Sequence, residues 1–249
     1  MSNRLHYGAL VAATATVAIS VVVASPTTPA HPATFGYFGA IGPAHWADLE
    51  PAWEACGAGS RQSPVDLAAP NRTASHRPLR VHYGATTGEV FNDGHTVEVE
   101  TEGSNSLIFE GRTFRLVQFH FHVASEHRIR GRGYDGELHL VHKSEDGEIA
   151  VVGVLLERGR SSGALAALLG NLPDDVDVHH ALDMPVYPAL FIPSNHEYVH
   201  YLGSLTTPPC TEGVHWFVLP QPVSVRDEDL ARIAERVHFN ARAVQRELR

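Results

Sequence analysis

Cysteine is scarce in this chain: two residues, Cys56 and Cys210, among 249. A scaffold dense in disulfides is excluded, so the fold must rest on an ordinary hydrophobic core. Basic charge is also short. Lys and Arg number 19 against 28 Asp and Glu, a formal charge of −9, and the cations form no run or patch. A nucleic-acid partner is not expected. Long apolar runs are absent after residue 24, so no later segment can cross a membrane as a helix. Beyond residue 30 there is neither a repeat nor a low-complexity linker. What remains is the composition of a globular protein, 43% hydrophobic and 19% charged, enough for one sizeable core.

The single apolar run lies at the start. Arg4 and His6 precede ALVAATATVAISVVVA, residues 9 to 24, and SPTTPAHPA follows. A basic start, a short apolar middle and small residues predict a signal peptide over residues 1–30, cleaved near residue 24 or residue 30. The alternative is an uncleaved anchor, for which the run is short. The mature domain would span residues 31–249, exported to the periplasm or secreted, with no membrane attachment after cleavage. In the cytosol two cysteines read as free thiols; in an exported protein an even count points to a disulfide. Closing so long a loop would stabilise the fold by about 4–5 kcal/mol in the chain-entropy model.

Residues 31 to 80 carry turn signals such as Ile41-Gly42-Pro43 and Gln62-Ser63-Pro64. They read as irregular chain over a core, with a short helix around Leu49 to Cys56. From Val81 to Glu157 the chain is strand-like, in TVEVE, SLIFE, FRLVQFHFHV, ELHLVH and IAVVGVLLE. A short helix is expected from Ser161 to Leu169, and further strands from Tyr198 to Leu205 and Val214 to Leu219. Near the end, Leu230, Ile233, Ala234 and Val237 mark the core face of a helix, with Ser224 as its expected cap and Asp227 three residues on. The expected fold is one mainly β domain with a few short peripheral helices.

Chemistry concentrates in QFHFHVASEH, residues 118 to 127. Read as one uninterrupted strand, FRLVQFHFHV places Phe114, Leu116, Gln118, His120 and His122 on one face. Two imidazoles then stand side by side. In ELHLVH, Glu137, His139 and Val141 share a face, so His139 meets the pair if the strands adjoin. A His-x-His pair alone is ordinarily a satisfied polar pair; a third histidine with its own same-face carboxylate favours a metal. Three neutral imidazoles leave the fourth tetrahedral position open, the pattern of a catalytic zinc site. Gln118 and Glu137 are placed to hold the other ring nitrogens of His120 and His139. His142, on the opposite face, reads as structural. His179, His180, His196, His200 and His215 read as surface or packing residues.

With these motifs in view, the sequence resembles the α-class carbonic anhydrases, in the form of their exported bacterial branch. QFHFH and ELHLVH resemble the zinc-ligand strands, GSLTTPPCTEGVHW (203 to 216) the most diagnostic segment, and FNDGHTVEV the strand bearing a proton-shuttle histidine. WADLEPAWEACGAGSRQSPVDL and the tail FNARAVQ also match, so the resemblance covers about residues 35 to 245. It implies a large twisted, mostly antiparallel central sheet with zinc at the floor of a conical cleft. It implies reversible hydration of carbon dioxide to bicarbonate and a proton, through zinc-bound hydroxide.

Residue roles follow from the same resemblance. His120, His122 and His139 match the Zn2+ ligands, and Gln118 and Glu137 their hydrogen-bond partners. Thr206 matches the acceptor for the bound hydroxide and Glu126 the carboxylate that receives the Thr206 proton. Val141, Val151, Leu205, Val214 and Trp216 match the apolar wall for carbon dioxide, and Thr207 a further pocket hydroxyl. His95 matches the proton shuttle, Tyr37 a member of the water network, and Cys56 and Cys210 the disulfide. Sulfonamide and anion inhibitors are implied, and a homodimer is the expected assembly. The chain departs from the pattern at Phe35, Val123-Ala124, Glu98, His200 and Ala243, none of which removes a ligand. A non-catalytic binding module on this fold would lack one or more ligand histidines, and a cupin would have no use for the TTPPC segment.

Overall fold

The computed structural model describes residues 34–67, 79–160 and 165–246. The leader expected over residues 1–30 lies outside them, as do the first residues of the helix expected from Ser161, whose described part is α3 (Ala166–Leu169). Twelve strands are present: β1 (Asp66–Leu67), β2 (Arg80–His82), β3 (Gly88–Asn92), β4 (Val97–Thr101), β5 (Ser106–Phe109), β6 (Arg112–His122), β7 (Arg128–Ile129), β8 (Gly136–Ser144), β9 (Ile149–Arg158), β10 (His179–Ala181), β11 (Val199–Ser204) and β12 (Glu212–Val225). Ten of them form one sheet, in the order β10-β3-β4-β6-β8-β9-β12-β11, with β5 on β6 and β2 on β5. Every pairing in it is antiparallel except β9 with β12. The mainly β expectation holds.

Alternation along the central strands builds a core on each face. Val152 and Val154 of β9 and Phe217 and Leu219 of β12 join Phe119, Phe121, Leu138 and Leu140 in the larger core. Val151, Val214, Trp216 and Val218 point the other way, into a second cluster with Val65 and Leu67. The C-terminal helix α4 (Asp227–Val237) seats Leu230, Ile233 and Val237 on the larger core, as its spacing predicts.

Three expectations need correction. The Leu49–Cys56 helix is broken: α1 (Trp46–Leu49) ends before Pro51, a 3-10 turn runs Pro51–Trp53, and α2 (Ala55–Ala58) follows. Pro51 lacks the N–H to continue α1. Ser224 does not cap α4, because it is still paired in β12 opposite Glu157. Arg226 takes the cap position, and its guanidinium grips Asp229 of the first turn at 2.8 and 3.0 Å. The third correction is in β6. Its register shifts between Leu116 and Gln118, leaving Val117 in a bulge. Phe114 and Leu116 therefore lie in the core with Phe119 and Phe121, while Gln118, His120 and His122 face the other way.

Candidate metal centre

β6 supplies His120 and His122, and β8 supplies His139 directly opposite His120. The ring centroids lie 5.1 Å (His120–His122), 5.2 Å (His120–His139) and 4.5 Å (His122–His139) apart. Each ring has one nitrogen engaged. His120 Nδ1 lies 2.8 Å from Gln118 Oε1, His122 Nδ1 2.8 Å from the Asn240 carbonyl, and His139 Nε2 3.0 Å from Glu137 Oε1. Each acceptor fixes a tautomer, leaving Nε2, Nε2 and Nδ1 with free lone pairs. One nitrogen from each ring falls within 4.8 Å of the others. His122 Nε2 is buried and has no hydrogen-bond partner, a state that costs free energy unless something binds there.

Burial holds all three imidazoles neutral. It pushes His120 well below the usual histidine range and lowers His122 and His139 too, and the neighbouring rings add to the shift at His120 and His139. Neutral imidazoles need shed no proton to bind a cation. The donor set fits zinc: three nitrogens, neutral, with the opposite nitrogens held.

The surroundings are polar on one side and apolar on the other. Glu126 is buried and accepts the Arg242 backbone N–H at 2.8 Å. Its Oε2 lies 3.6 Å from His122 Nε2. Burial pushes its carboxyl up to about 7, against the pull of His139 and of the hydrogen bond from the Thr206 hydroxyl. Val151, Val214 and Trp216 form one buried cluster against which Val141 and Leu205 pack. Thr207 lies in the tight turn where its carbonyl accepts the Cys210 N–H. Tyr37 is raised by burial and by the charges of Glu126 and Asp93. His95 sits on the turn between β3 and β4, its ring stacked on Phe35 at 3.9 Å. The Cys56–Cys210 disulfide is present, with its Cα atoms 5.0 Å apart.

Residues 41–249 match the family model described as eukaryotic-type carbonic anhydrase. The chain belongs to the α-class carbonic anhydrases. A carbonic anhydrase of Nostoc sp. is 36% identical over 226 residues, 88% of this chain and 86% of its own length. One from Pectobacterium atrosepticum is 36% identical over 212 residues, 85% and 86% of the two chains. Among solved structures, the α-carbonic anhydrase of Thermovibrio ammonificans, in complex with sulfanilamide, superposes with a TM-score of 0.83 at 37% identity, covering 87% of this chain and 97% of its own. Carbon dioxide hydration is the activity general to this family, and the chain is an enzyme of that kind.

Four further residues shape this carbonic anhydrase centre through partners that the local sequence does not show. Asn240 offers its carbonyl to His122 from 118 residues away, while its amide donates to the carbonyls of His95 and Phe121. Arg242 donates its guanidinium to Gln62 Oε1 and to the carbonyls of Cys56 and Ser63. Both stand in the matched tail, but nothing in FNARAVQ shows where it docks. His127 has both nitrogens engaged, with Glu137 Oε1 at 2.7 Å and the Tyr201 hydroxyl at 2.6 Å. It therefore offers no lone pair to an ion, although it clusters with Glu137 and His139. Gly153 lies opposite His139, where an added Cβ would meet Glu137 Oε1 at 2.9 Å.

Proposed function

We propose that this chain is an exported zinc enzyme that hydrates carbon dioxide reversibly, with His120, His122 and His139 as the ligands. The observation that carries this is the buried trio of neutral imidazoles, each held by one nitrogen and free at the other. Zinc held by these three rings would supply a Lewis acid, which brings the pKa of a bound water down to about 7.

The chain's own groups do the rest. Gln118, Glu137 and Asn240 hold the three rings in the tautomers that leave the inner nitrogens bare. Thr206 donates its proton to Glu126. Its oxygen then only accepts, so an entering hydroxyl group is oriented with its lone pair towards the apolar wall. Val141, Val151, Leu205, Val214 and Trp216 hold carbon dioxide there without competing hydrogen bonds, and Thr207 adds a polar contact at the pocket edge. His95 carries the proton outward, over water ordered by Tyr37. Sulfonamides and simple anions are the inhibitors of this reading, which the sulfanilamide complex of the Thermovibrio ammonificans enzyme supports. Export rests on the leader pattern and agrees with the disulfide. No helix among the described residues is long and apolar enough to cross a membrane.

The test is stopped-flow hydration of carbon dioxide by the purified mature protein, with zinc measured on the same sample. Rapid hydration with about one zinc per chain, both lost in His122→Ala, is the expected result. Zinc at full occupancy without hydration would instead mark a binding protein on an enzyme's fold.

A further inference from the structure

Gln118 has a second partner. While its Oε1 faces His120 Nδ1, its Nε2 donates to Glu98 Oε2 at 2.7 Å. Glu98 reaches it from the adjoining strand. In the β4–β6 register Glu98 lies opposite His120 and Glu100 opposite Gln118, so Glu98 and Gln118 are diagonal neighbours on the cleft face. Glu98 is half-buried. Among the described residues no cation pairs with it, and Asp93 and Glu100 press on it with like charge. An acid in such a place costs free energy that no ion pair returns. Among the described residues its one side-chain hydrogen bond is with the amide.

The chemistry of that contact has a direction. A glutamine amide can be turned over, exchanging its oxygen and its NH2 at little steric cost. An NH2 turned towards His120 would call for a bare Nδ1 and a protonated Nε2, the tautomer that cannot bind a cation through Nε2. An ionised carboxylate at position 98 only accepts, so it takes the amide by its NH2 alone. An amide at that position could serve either orientation.

We propose that Glu98 is a positioning residue that locks the Gln118 amide, and through it the Nδ1–H tautomer of His120, before any metal arrives. The inference rests on the reading of His120 as a zinc ligand.

Two variants test it, each assayed without reference to turnover. Glu98→Gln keeps the shape and offers both a donor and an acceptor. Glu98→Leu offers neither. Imidazole nitrogen NMR on metal-free protein reads the His120 tautomer directly, and a chelator competition reads zinc release from loaded protein. The parent should show one tautomer, Nδ1–H. Both variants should show a mixture and release zinc about three- to tenfold faster, less than the 10–100-fold that follows loss of a ligand's direct partner. A purely structural role for Glu98 would leave the tautomer single. A single tautomer in both variants, or release at the parental rate in both, overturns the inference. Zinc uptake by the parent is scored separately. A parent that takes up no zinc on His120 refutes the metal-centre reading, while the tautomer comparison still judges Glu98.

Discussion

Two residues show how one environment serves opposite ends. Thr206 is buried beside Glu126 and hydrogen-bonds to it, and in the proposed mechanism its hydroxyl serves to direct. Thr206→Ala should leave zinc content unchanged and lower the hydration rate about 100-fold, the scale on which one oriented hydrogen-bonding group acts; Thr206→Ser should recover most of it. An equal loss in both variants would assign the effect to packing of the methyl group. His142, three residues beyond His139, has no access to the centre. It is fully buried, with the Tyr83 hydroxyl 2.7 Å from Nε2 and the Ala150 carbonyl 3.2 Å from Nδ1. Burial lowers its pKa from 6.5 to about 4. Above pH 6.5 it is neutral in both states and its full contribution is present. Between 6.5 and 4 only the unfolded chain takes the proton, so stability falls with falling pH. Burial lowers the three imidazoles of the candidate centre as well, so the informative quantity is a difference. The stability gap between parent and His142→Gln in urea should shrink by about 2 kcal/mol from pH 7.5 to pH 5. A gap constant with pH would mean that the ring takes up its proton in the fold as readily as in the unfolded chain.

At the scale of the element, the centre depends on features of backbone that residue type does not announce. The sequence shows the two ligand strands and their alternation, and the structure pairs them as expected. It does not show the bulge at Val117. FRLVQFHFHV keeps its apolar rhythm on both sides of that residue, so a single unbroken face from Phe114 to His122 is the natural reading. The ladder instead slips by one residue, which turns Phe114 and Leu116 inward without turning the histidines away from the cleft. Partners on distant segments, Asn240 and Arg242, are invisible for another reason: nothing local tells a chain end where it docks. Gly153 belongs to the same class. In β9 it reads as an ordinary interruption of an apolar strand, yet its missing side chain makes room for Glu137 Oε1: an added Cβ would meet that oxygen at 2.9 Å, with Val218 Cγ2 at 3.5 Å and Trp216 Cζ3 at 3.6 Å also against it. Trp216 is fully buried and cannot yield. Gly153→Ala should therefore displace the carboxylate from His139 and weaken zinc binding about 10–100-fold, as loss of a ligand's partner does. Metal titration by a chromophoric chelator would measure this. Parental affinity would show that Glu137 adjusts without releasing the ring.

For the molecule as a whole, the disulfide and Arg242 tie together parts of the chain that share no sheet pairing. Cys56 lies in α2, Cys210 in the turn after β11, and both pack against Trp46. Arg242 binds the Cys56 carbonyl and stacks over Trp46 at 5.5 Å, while its own N–H holds Glu126. Burial lowers its guanidinium to about 10, against the pull of Glu126, so it remains charged at neutral pH. The crosslink closes a separation of 154 residues, and in the chain-entropy model that contributes about 4–5 kcal/mol by restricting the unfolded chain. Arg242 acts differently, because its hydrogen bonds exist only in the folded state. The two contributions can therefore be separated. Replacing both cysteines with alanine should lower unfolding free energy in urea by about 4 kcal/mol, leaving zinc content and hydration rate at parental levels in the folded protein. Arg242→Met should lower stability by about 3 kcal/mol, since three acceptors lose a charged donor, and should also slow hydration, because the Arg242 backbone N–H holds Glu126 from the tail that the guanidinium anchors. If the double cysteine variant lost activity in step with stability, the crosslink would be setting the position of Thr206 itself, four residues before Cys210, and the separation between a stabilising tie and a positioning one would fail.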